Sequence, residues 1–298
     1  SGSSEGWSSQ AAWWSATPAG SMRCAPAVSR SSARPTGPVR CATVGAGASL
    51  VPLTLRCKQN PMNPDLLPRR IVCLTEETTE TLYLLGEQAR IVGISGYTVR
   101  PPQARQEKPK VSAYLSAKID KILDLEPDLV LGFSDLQADI ASQLVRAGVA
   151  VHVFNHRDVA GILRMIAMVG AMVGAQDRAT ALLAELQAGL DAAAERAKAL
   201  PRRPRVYFEE WMDPLISGIG WVSELITLAG GEECFPELAG RSHGKDRIIA
   251  DPLEVARRRP DLILGSWCGR KFRPEQVRAR PGWEQVPAVR DGQVFEVK

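Results

Sequence analysis

Two adjacent carboxylates, Glu209 and Glu210, have the residue types and spacing that could do chemistry. They follow an apolar run that begins at Arg205 and predicts a strand. Paired carboxylates at a strand end can act as general acid and general base, which makes an enzyme one hypothesis. One of the two could instead form a salt bridge with Arg270 or Lys271. The pair therefore leaves both an enzyme and a binding protein open.

The loops of the chain lack the motifs of the common catalytic classes. The sequence contains no GxSxG nucleophile elbow, no GxxxxGK[ST] phosphate loop, no GxGxxG at the start of a helix and no HExxH. Gly218-Ile219-Gly220 is too short for a dinucleotide fingerprint, and we expect its amides to bind a polar ligand group or to make a turn. The scattered Cys and His residues match no zinc pattern, so no metal site is expected.

Aromatic and polar residues recur where predicted strands end. In parallel sheets ligands bind beyond the carboxyl ends of the strands, and aromatic-lined slots suit a large, flat, partly polar ligand. Each aromatic taken alone is also compatible with a place in the core. The predicted ligand-binding residues are Tyr97, Phe133, Ser134, Glu210, Trp211, Gly218, Trp221, Trp267 and Arg270.

The elements that would position these residues form two α/β lobes. In the first, strands are predicted at 71–74, 91–94, 128–131 and 150–154, with helices at 75–86, 116–125 and 135–147. In the second, strands are predicted at 205–208, 262–264 and 294–297, with helices at 221–229, 251–258 and 274–280. The run 127–134 (PDLVLGFS) returns as 260–267 (PDLILGSW), which favours two lobes of similar construction.

A single long helix is predicted from Asp158 to Leu200, joining the lobes. Apolar residues recur with helical spacing from Ile162 to Leu190, Asp158 is a suitable N-cap, and Pro201 prevents continuation. The alternative is a hairpin of two helices broken near Gly174. The predicted division is an extension at 1–61, a first lobe at 62–157, the connecting helix at 158–200 and a second lobe at 201–298.

Charge and composition separate residues 1–61 from the rest. This segment has six Lys or Arg and one acid, a net charge of +5. Because the whole chain has a net charge of +4, the remainder has a net charge of −1. Ser, Ala, Pro and Gly dominate it, so we expect disorder. The body shows no basic stripe with interleaved aromatics, and nucleic-acid binding is not expected. Residues 40–55 do not form a convincing signal peptide because Pro52 interrupts the apolar centre.

Several of these segments carry a resemblance to a known family. Residues 70–86 (RIVCLTEETTETLYLLG), 119–131 (IDKILDLEPDLVL), 214–231 (PLISGIGWVSELITLAGG) and 251–264 resemble, in order, the class III periplasmic-type binding proteins of ABC importers. These proteins bind cobalamin and ferric siderophores, and the second-lobe motif is most similar to that of cobalamin binders. Glu76 and Glu77 replace small residues of the family pattern, which alters the predicted floor of the site.

The resemblance implies two Rossmann-like lobes with mostly parallel sheets on a rigid helical backbone and a ligand cleft between them. It implies capture of a cobalamin-like corrinoid as transported ligand, with no cofactor and no catalysis. A ferric siderophore or haem is the alternative ligand, and an enzyme acting on a tetrapyrrole-like substrate is the alternative from another class.

The implied partner is the importer's permease, with Asp139 and Glu254 as docking residues. The protein is expected to be a monomer in the periplasm or at the cell surface, although without a convincing signal a cytoplasmic location stays open. Because the family normally ends with another helix, we expect the second lobe to lack its last one.

Overall fold

The computed structural model describes residues 63–268 and 270–297, which belong to one compact unit. The predicted disorder of residues 1–61 lies outside the described residues. Among the helices of the described part, none is long and apolar enough to cross a membrane.

The first lobe contains a parallel sheet in the order β3-β2-β1-β4-β5, with five strands among the described residues. Its strands are apolar runs whose side chains are largely buried, as a sheet covered on both faces requires. The elements are β1 (Ile71–Cys73), α1 (Glu76–Leu84), β2 (Ile91–Ser95), α2 (Pro102–Glu107), β3 (Lys110–Ser112), α3 (Ile119–Leu123), β4 (Leu129–Phe133), α4 (Ala138–Arg146) and β5 (Val151–Phe154).

Two of these elements, α2 and β3, were not predicted from the sequence. Pro102 opens the short helix α2, and its fixed φ suits the first turn. The edge strand β3 is three residues long, too short for a periodic pattern to reveal. Both additions extend the sheet beyond β2, and the parallel α/β architecture predicted for this lobe is confirmed.

The second lobe contains a mostly parallel sheet in the order β10-β9-β6-β7, with β8 also paired to β6. The antiparallel strand β7 was not predicted, and β6 extends four residues further than predicted to pair with it. The elements are β6 (Arg205–Met212), β7 (Leu215–Ser217), α7 (Gly220–Leu228), β8 (Glu232–Glu233), α8 (Pro236–Ala239), α9 (Leu253–Arg258), β9 (Leu262–Gly265), α10 (Pro274–Arg278), α11 (Pro287–Arg290) and β10 (Val294–Glu296).

The repeated PDL sequence marks equivalent places in the two sheets. The carboxylate of Asp128 accepts hydrogen bonds from the backbone N–H groups of Arg69 and Arg70, just before β1. The carboxylate of Asp261 accepts one from the N–H of Arg205, at the start of β6. In each lobe the Asp therefore satisfies the first donors of the neighbouring parallel strand, which explains why this turn recurs.

The single helix predicted from Asp158 to Leu200 is wrong in its continuity, because the structure has two helices there. Helix α5 spans Val159–Met172 and helix α6 spans Gln176–Ala197. Asp158 caps α5 as predicted, accepting from the N–H of Gly161 at 2.5 Å. Gly174 interrupts the helical path with φ +74°. The alternative prediction, two helices broken near Gly174, is thus correct about the position of the break.

Helix α6 nevertheless connects the two lobes. At its start, Ala179 packs with Gly170 in the core of the first lobe. At its end, Ala197 lies against Gly230, which follows α7 in the second lobe. Its 22 residues span about 33 Å. The predicted fold class, two α/β lobes joined by a long helix, is confirmed.

Candidate functional site

The carboxyl ends of β1, β2 and β4 in the first lobe face those of β6 and β9 in the second. Cys268, just after β9, interacts electrostatically with Glu210 in its own lobe and with Glu76 in the other. Crowding by protein atoms and then these charges raise the pKa of its thiol to about 11. Tyr114, after β3, likewise feels Glu77 and Cys268, and burial raises the pKa of its hydroxyl to about 12. The loops of both lobes therefore share one cleft.

Glu76 and Glu77 place two carboxyls at the first-lobe side of this cleft, in the first turn of α1. Burial raises the pKa of both carboxyls. Hydrogen bonds lower it by less: the N–H of Val99 donates to Glu76, and the hydroxyl of Thr75 donates to Glu77 at 2.9 Å. Neither forms a salt bridge with any residue of the described part. The floor of the cleft is thus acidic, and the site prediction did not include these two residues although the sequence analysis noted their unusual type.

All the hydrogen bonds described for Glu209 are made within the second lobe. It is completely buried and accepts from both terminal nitrogens of Arg280, at 2.5 and 2.8 Å. The indole N–H of Trp267 donates to it at 2.9 Å and the hydroxyl of Tyr207 at 3.2 Å. Such a carboxylate has no free oxygen facing the cleft for acid–base chemistry. Its partner is Arg280, not the predicted Arg270 or Lys271.

Glu210 points to the other side of β6, as alternation along a strand requires. The two terminal nitrogens of Arg247 donate to its carboxylate at 2.7 and 2.9 Å, and Arg247 also donates to the carbonyl of Ser217. Arg247 is 2% exposed. This pair ties β6 to the end of β7 next to the turn at Gly218, where a Cβ would approach Val222 at 3.0 Å.

Phe133, His156 and Trp221 form an aromatic cluster that crosses from one lobe to the other. The ring of Phe133 lies 4.7 Å from that of His156 and 6.3 Å from that of Trp221. Ser134, next to Phe133, is buried with φ +70°, and its hydroxyl accepts from the N–H of Leu136. Two predicted site aromatics from different lobes, Phe133 and Trp221, therefore meet, and their rings close one side of the cleft.

The other predicted aromatics lie in three different surroundings. Trp211 is half-buried, with the guanidinium of Arg270 5.8 Å from its ring centre. Tyr97 is 40% exposed at the end of β2. Trp267 is 5% exposed and packs on Phe272, in the core of the second lobe. The five aromatics thus do not form the single slot predicted from strand ends, because Trp267 turns into the core.

A charged contact beside the aromatic cluster also joins the lobes. Asp135, after β4, accepts from Arg157 at 3.1 Å and contacts Nε2 of His243, in the second lobe, at 2.8 Å. The hydrogen bond from His243, and to a lesser extent Arg157, lowers the pKa of Asp135. We call Asp135, Arg157 and His243 the latch. Sequence reasoning missed it, since 108 residues separate Asp135 from His243.

Asp139 and Glu254 do not occupy equivalent places in the two lobes. Glu254 lies on α9, which precedes the repeated strand β9, whereas Asp139 lies on α4, which follows β4. The helix that precedes β4 is α3, and Asp120 is the acid in its first turn. Glu254 also pairs with Arg257 and Arg258, at 2.7 and 2.9 Å. Counted back from the repeated Pro, Glu254 is one residue out of step with Asp120, but both lie in the first turn of the helix that precedes the repeated strand.

The described residues contain no group of three or more His, Cys, Asp or Glu side chains arranged to hold a metal ion. A cavity of about 640 Å³ lies beside α7 and α8, where Arg157 of the first lobe reaches the second. It is lined by none of the predicted ligand-binding residues.

Comparison with known proteins agrees with this architecture. Residues 71–298 match the model of a family described as "Periplasmic binding protein". An ABC transporter substrate-binding lipoprotein of Bacillus subtilis, itself uncharacterised, is 26% identical over 239 residues, covering 77% of this chain and 73% of its own. The vitamin B12-binding protein of Vibrio campbellii is 26% identical over 202 residues, covering 66% and 70%.

A solved structure shares the fold at low sequence identity. The apo form of the periplasmic heme-binding protein RhuT from Roseiflexus superposes with a TM-score of 0.67 and 24% identity, over 76% of this chain and 88% of its own. Similar proteins therefore include one named for vitamin B12 and one named for heme.

Proposed function

This chain belongs to the periplasmic binding protein family, and we propose that it captures a cobalt corrinoid between its two lobes and delivers it to an ABC importer. Relatives in this family are substrate-binding proteins of ABC transporters, and this chain is one as well. The proposal concerns the ligand, which the relatives leave open between corrinoid, haem and iron complexes.

The acidic floor of the cleft is the observation that carries the choice of a corrinoid. The periphery of cobalamin carries several amide groups, whose N–H bonds can be donated to carboxylates. Haem carries two carboxylates, and many ferric siderophores are anionic. Bringing such groups against Glu76 and the half-buried Glu77 places like charges close together, which is unfavourable.

The aromatic residues at the cleft suit the same ligand. Trp211 is half-buried and offers part of its indole surface, and Tyr97 is 40% exposed. Large aromatic surfaces bind flat rings without needing a charge. Tyr97, Trp211 and Arg270 therefore remain our proposed ligand contacts, together with Glu76 and Glu77, whereas Trp267 supports the cleft from the core.

Haem is the second candidate, and one observation favours it. Arg270 lies at the edge of the cleft with its guanidinium near Trp211, where it could receive a propionate. An enzyme is less well supported. Glu209 and Glu210 are each bound by an arginine, and the relatives that the chain resembles are transport proteins.

For the permease, we propose Asp120 and Glu254 as docking acids, because each lies in the first turn of the helix that precedes the repeated PDL strand. The predicted docking residue Asp139 is exposed on α4 and stays a further candidate. By analogy with the lipoprotein relative, we propose that the protein acts as a monomer outside the cytoplasm.

The test is selective retention of a coloured ligand. The protein is incubated separately with cyanocobalamin, haemin and a ferric siderophore, desalted, and its visible spectrum is recorded. We expect stoichiometric retention of cyanocobalamin without turnover. In Glu76→Lys we expect cyanocobalamin affinity to fall by about tenfold or more, the effect of losing a hydrogen bond to a charged group. Retention of haemin or siderophore in preference to cyanocobalamin would contradict the proposal.

A further inference from the structure

The cavity of about 640 Å³ beside α7 and α8 is lined by none of the proposed corrinoid contacts and has its own charged groups. Arg157 and Arg241 line it together with Glu224 and Glu233. Its size falls in the range of small-molecule sites, and Ile219, Leu228 and Pro236 supply apolar walls. Arg157 comes from the first lobe and the other lining residues from the second, so an occupant would contact both lobes.

Arg157 has an unused donor at this place. One terminal nitrogen donates to Asp135 at 3.1 Å and the other to the carbonyl of His156 at 2.9 Å. Its Nε is buried and has no hydrogen-bond partner among the described residues. A buried N–H without an acceptor is unfavourable, so a shift of the Arg157 side chain that gives this N–H an acceptor from a ligand would be stabilising.

A simple anion would not satisfy the whole cavity, because Glu224 and Glu233 also line it. Glu233 is 8% exposed and accepts from the hydroxyl of Ser223 and the N–H of Phe235, both at 3.3 Å. Burial raises the pKa of its carboxyl. A cation near this buried carboxyl would stabilise its ionised form. A ligand that complements this lining would therefore carry one negative and one positive group on an apolar body.

We propose that this cavity is a second binding site, for a small apolar zwitterion such as an aliphatic amino acid or a short aliphatic peptide. The carboxylate of the ligand accepts from Arg157, and its ammonium lies near Glu233. Arg157 belongs to the latch, and Ser242, which also lines the cavity, directly precedes the latch residue His243. Occupancy of the cavity would therefore strengthen the contact between the lobes.

Gly240 makes a matched pair of variants possible. It lines the cavity, a Cβ at this position meets nothing within 4 Å, and its φ of −73° is open to any residue. Gly240→Trp therefore adds a large side chain at the wall of the cavity without a backbone clash. Gly189 on α6 is also exposed with nothing within 4 Å of a Cβ, so Gly189→Trp adds the same side chain away from the cavity.

The experiment measures thermal unfolding of the full chain with L-leucine, L-leucyl-L-leucine, 4-methylpentanoate and N-acetyl-L-leucinamide. At about ten times its dissociation constant, a zwitterion should raise the melting temperature by about 3–6 °C in the wild type and in Gly189→Trp. The anion and the uncharged amide should give smaller shifts or none. In Gly240→Trp the zwitterion shift should disappear.

The proposal is overturned if neither zwitterion shifts the wild type, if the uncharged amide shifts it equally, or if Gly240→Trp responds as the wild type does. Retention of cyanocobalamin by the same samples reports separately on the cleft. Failure of one site is therefore distinguishable from failure of the other.

Discussion

Glu209 holds a negative charge inside the second lobe, where two nitrogens of Arg280, one indole N–H and one phenol surround it. Burial and this charge together raise the pKa of Tyr207 well above its ordinary value, so the phenol stays a donor. The sequence placed the two carboxylates after the strand, whereas they lie within β6, which continues to Met212. It could not show their partners, because Arg280 is 71 residues away and only the folded sheet brings it near.

Removing the guanidinium is predicted to destabilise this lobe strongly. Arg280→Met leaves Glu209 buried and unpaired, and we expect a loss of about 3–5 kcal/mol in the free energy of unfolding. Arg278→Met, on the exposed side of α10, is the matched control and should change stability little. Urea denaturation measures both. Equal stability of the two variants would show that Glu209 does not need its partner.

The cleft carboxyls predict a pH dependence of opposite sign to that of a salt bridge. Burial raises the pKa of Glu77 above 4.5, so folding disfavours its ionised form. The cost is absent well below the ordinary pKa of a glutamate, grows as pH rises from that value to the folded-state pKa, and is complete above it. Glu77→Gln should therefore raise the melting temperature at pH 8 and have a smaller effect at pH 4.5.

The control for this variant lies on the same helix. Glu80 contacts Arg100 at 3.4 Å near the surface, and Glu80→Gln should not stabilise the protein at pH 8. A gain for Glu77→Gln that is independent of pH would mean that its charge is not the cause.

At the scale of elements, the break between α5 and α6 is set by a single residue. Apolar residues continue with helical spacing through Val169 and Val173, so periodicity alone predicts one helix. The helix instead ends before Gly174, whose φ of +74° is easily reached only by a residue without a side chain. The helices, caps and buried strands could be predicted because they depend on local spacing, whereas β3 and β7 depend on pairing between distant segments.

Two alanine substitutions test the break directly. Gly174→Ala should destabilise the protein by about 1–2 kcal/mol, since alanine resists the left-handed region and its Cβ would lie 2.5 Å from Leu67. Gly189→Ala, inside α6 with open space around it, should stabilise by about 0.5–1 kcal/mol. Thermal or urea unfolding distinguishes them. A stabilising effect at both positions would indicate a continuous helix instead.

The whole molecule is held together across the cleft by the aromatic cluster, the latch and a cap from the second lobe. The carboxylate of Glu224, on α7, accepts from the N–H of Val159 at the start of α5. Gly220 allows close approach, because a Cβ there would lie 2.6 Å from the carbonyl of Arg157. The sequence predicted that two lobes face each other. It did not predict these contacts, because each joins residues far apart in the chain.

The latch is predicted to couple two exposed groups modestly. In a double-mutant cycle with Asp135→Asn and His243→Ala, we expect a coupling energy of about 0.2–1 kcal/mol, the range for solvent-exposed ion pairs. The coupling should decrease in 1 M salt. The cycle subtracts the separate contact of His243 with Asp246. Strictly additive effects of the two substitutions would show that the contact does not join the lobes energetically.

Hydrogen–deuterium exchange with and without cyanocobalamin tests the central claim most directly, because it reports both binding and place. The account predicts slower exchange on ligand addition in both lobes, at residues 95–99 and 113–117 of the first and 210–214 and 266–268 of the second. Exchange at residues 184–194, on the exposed middle of α6, should not change. No change anywhere, or a change confined to one lobe, would contradict capture of a corrinoid between the lobes.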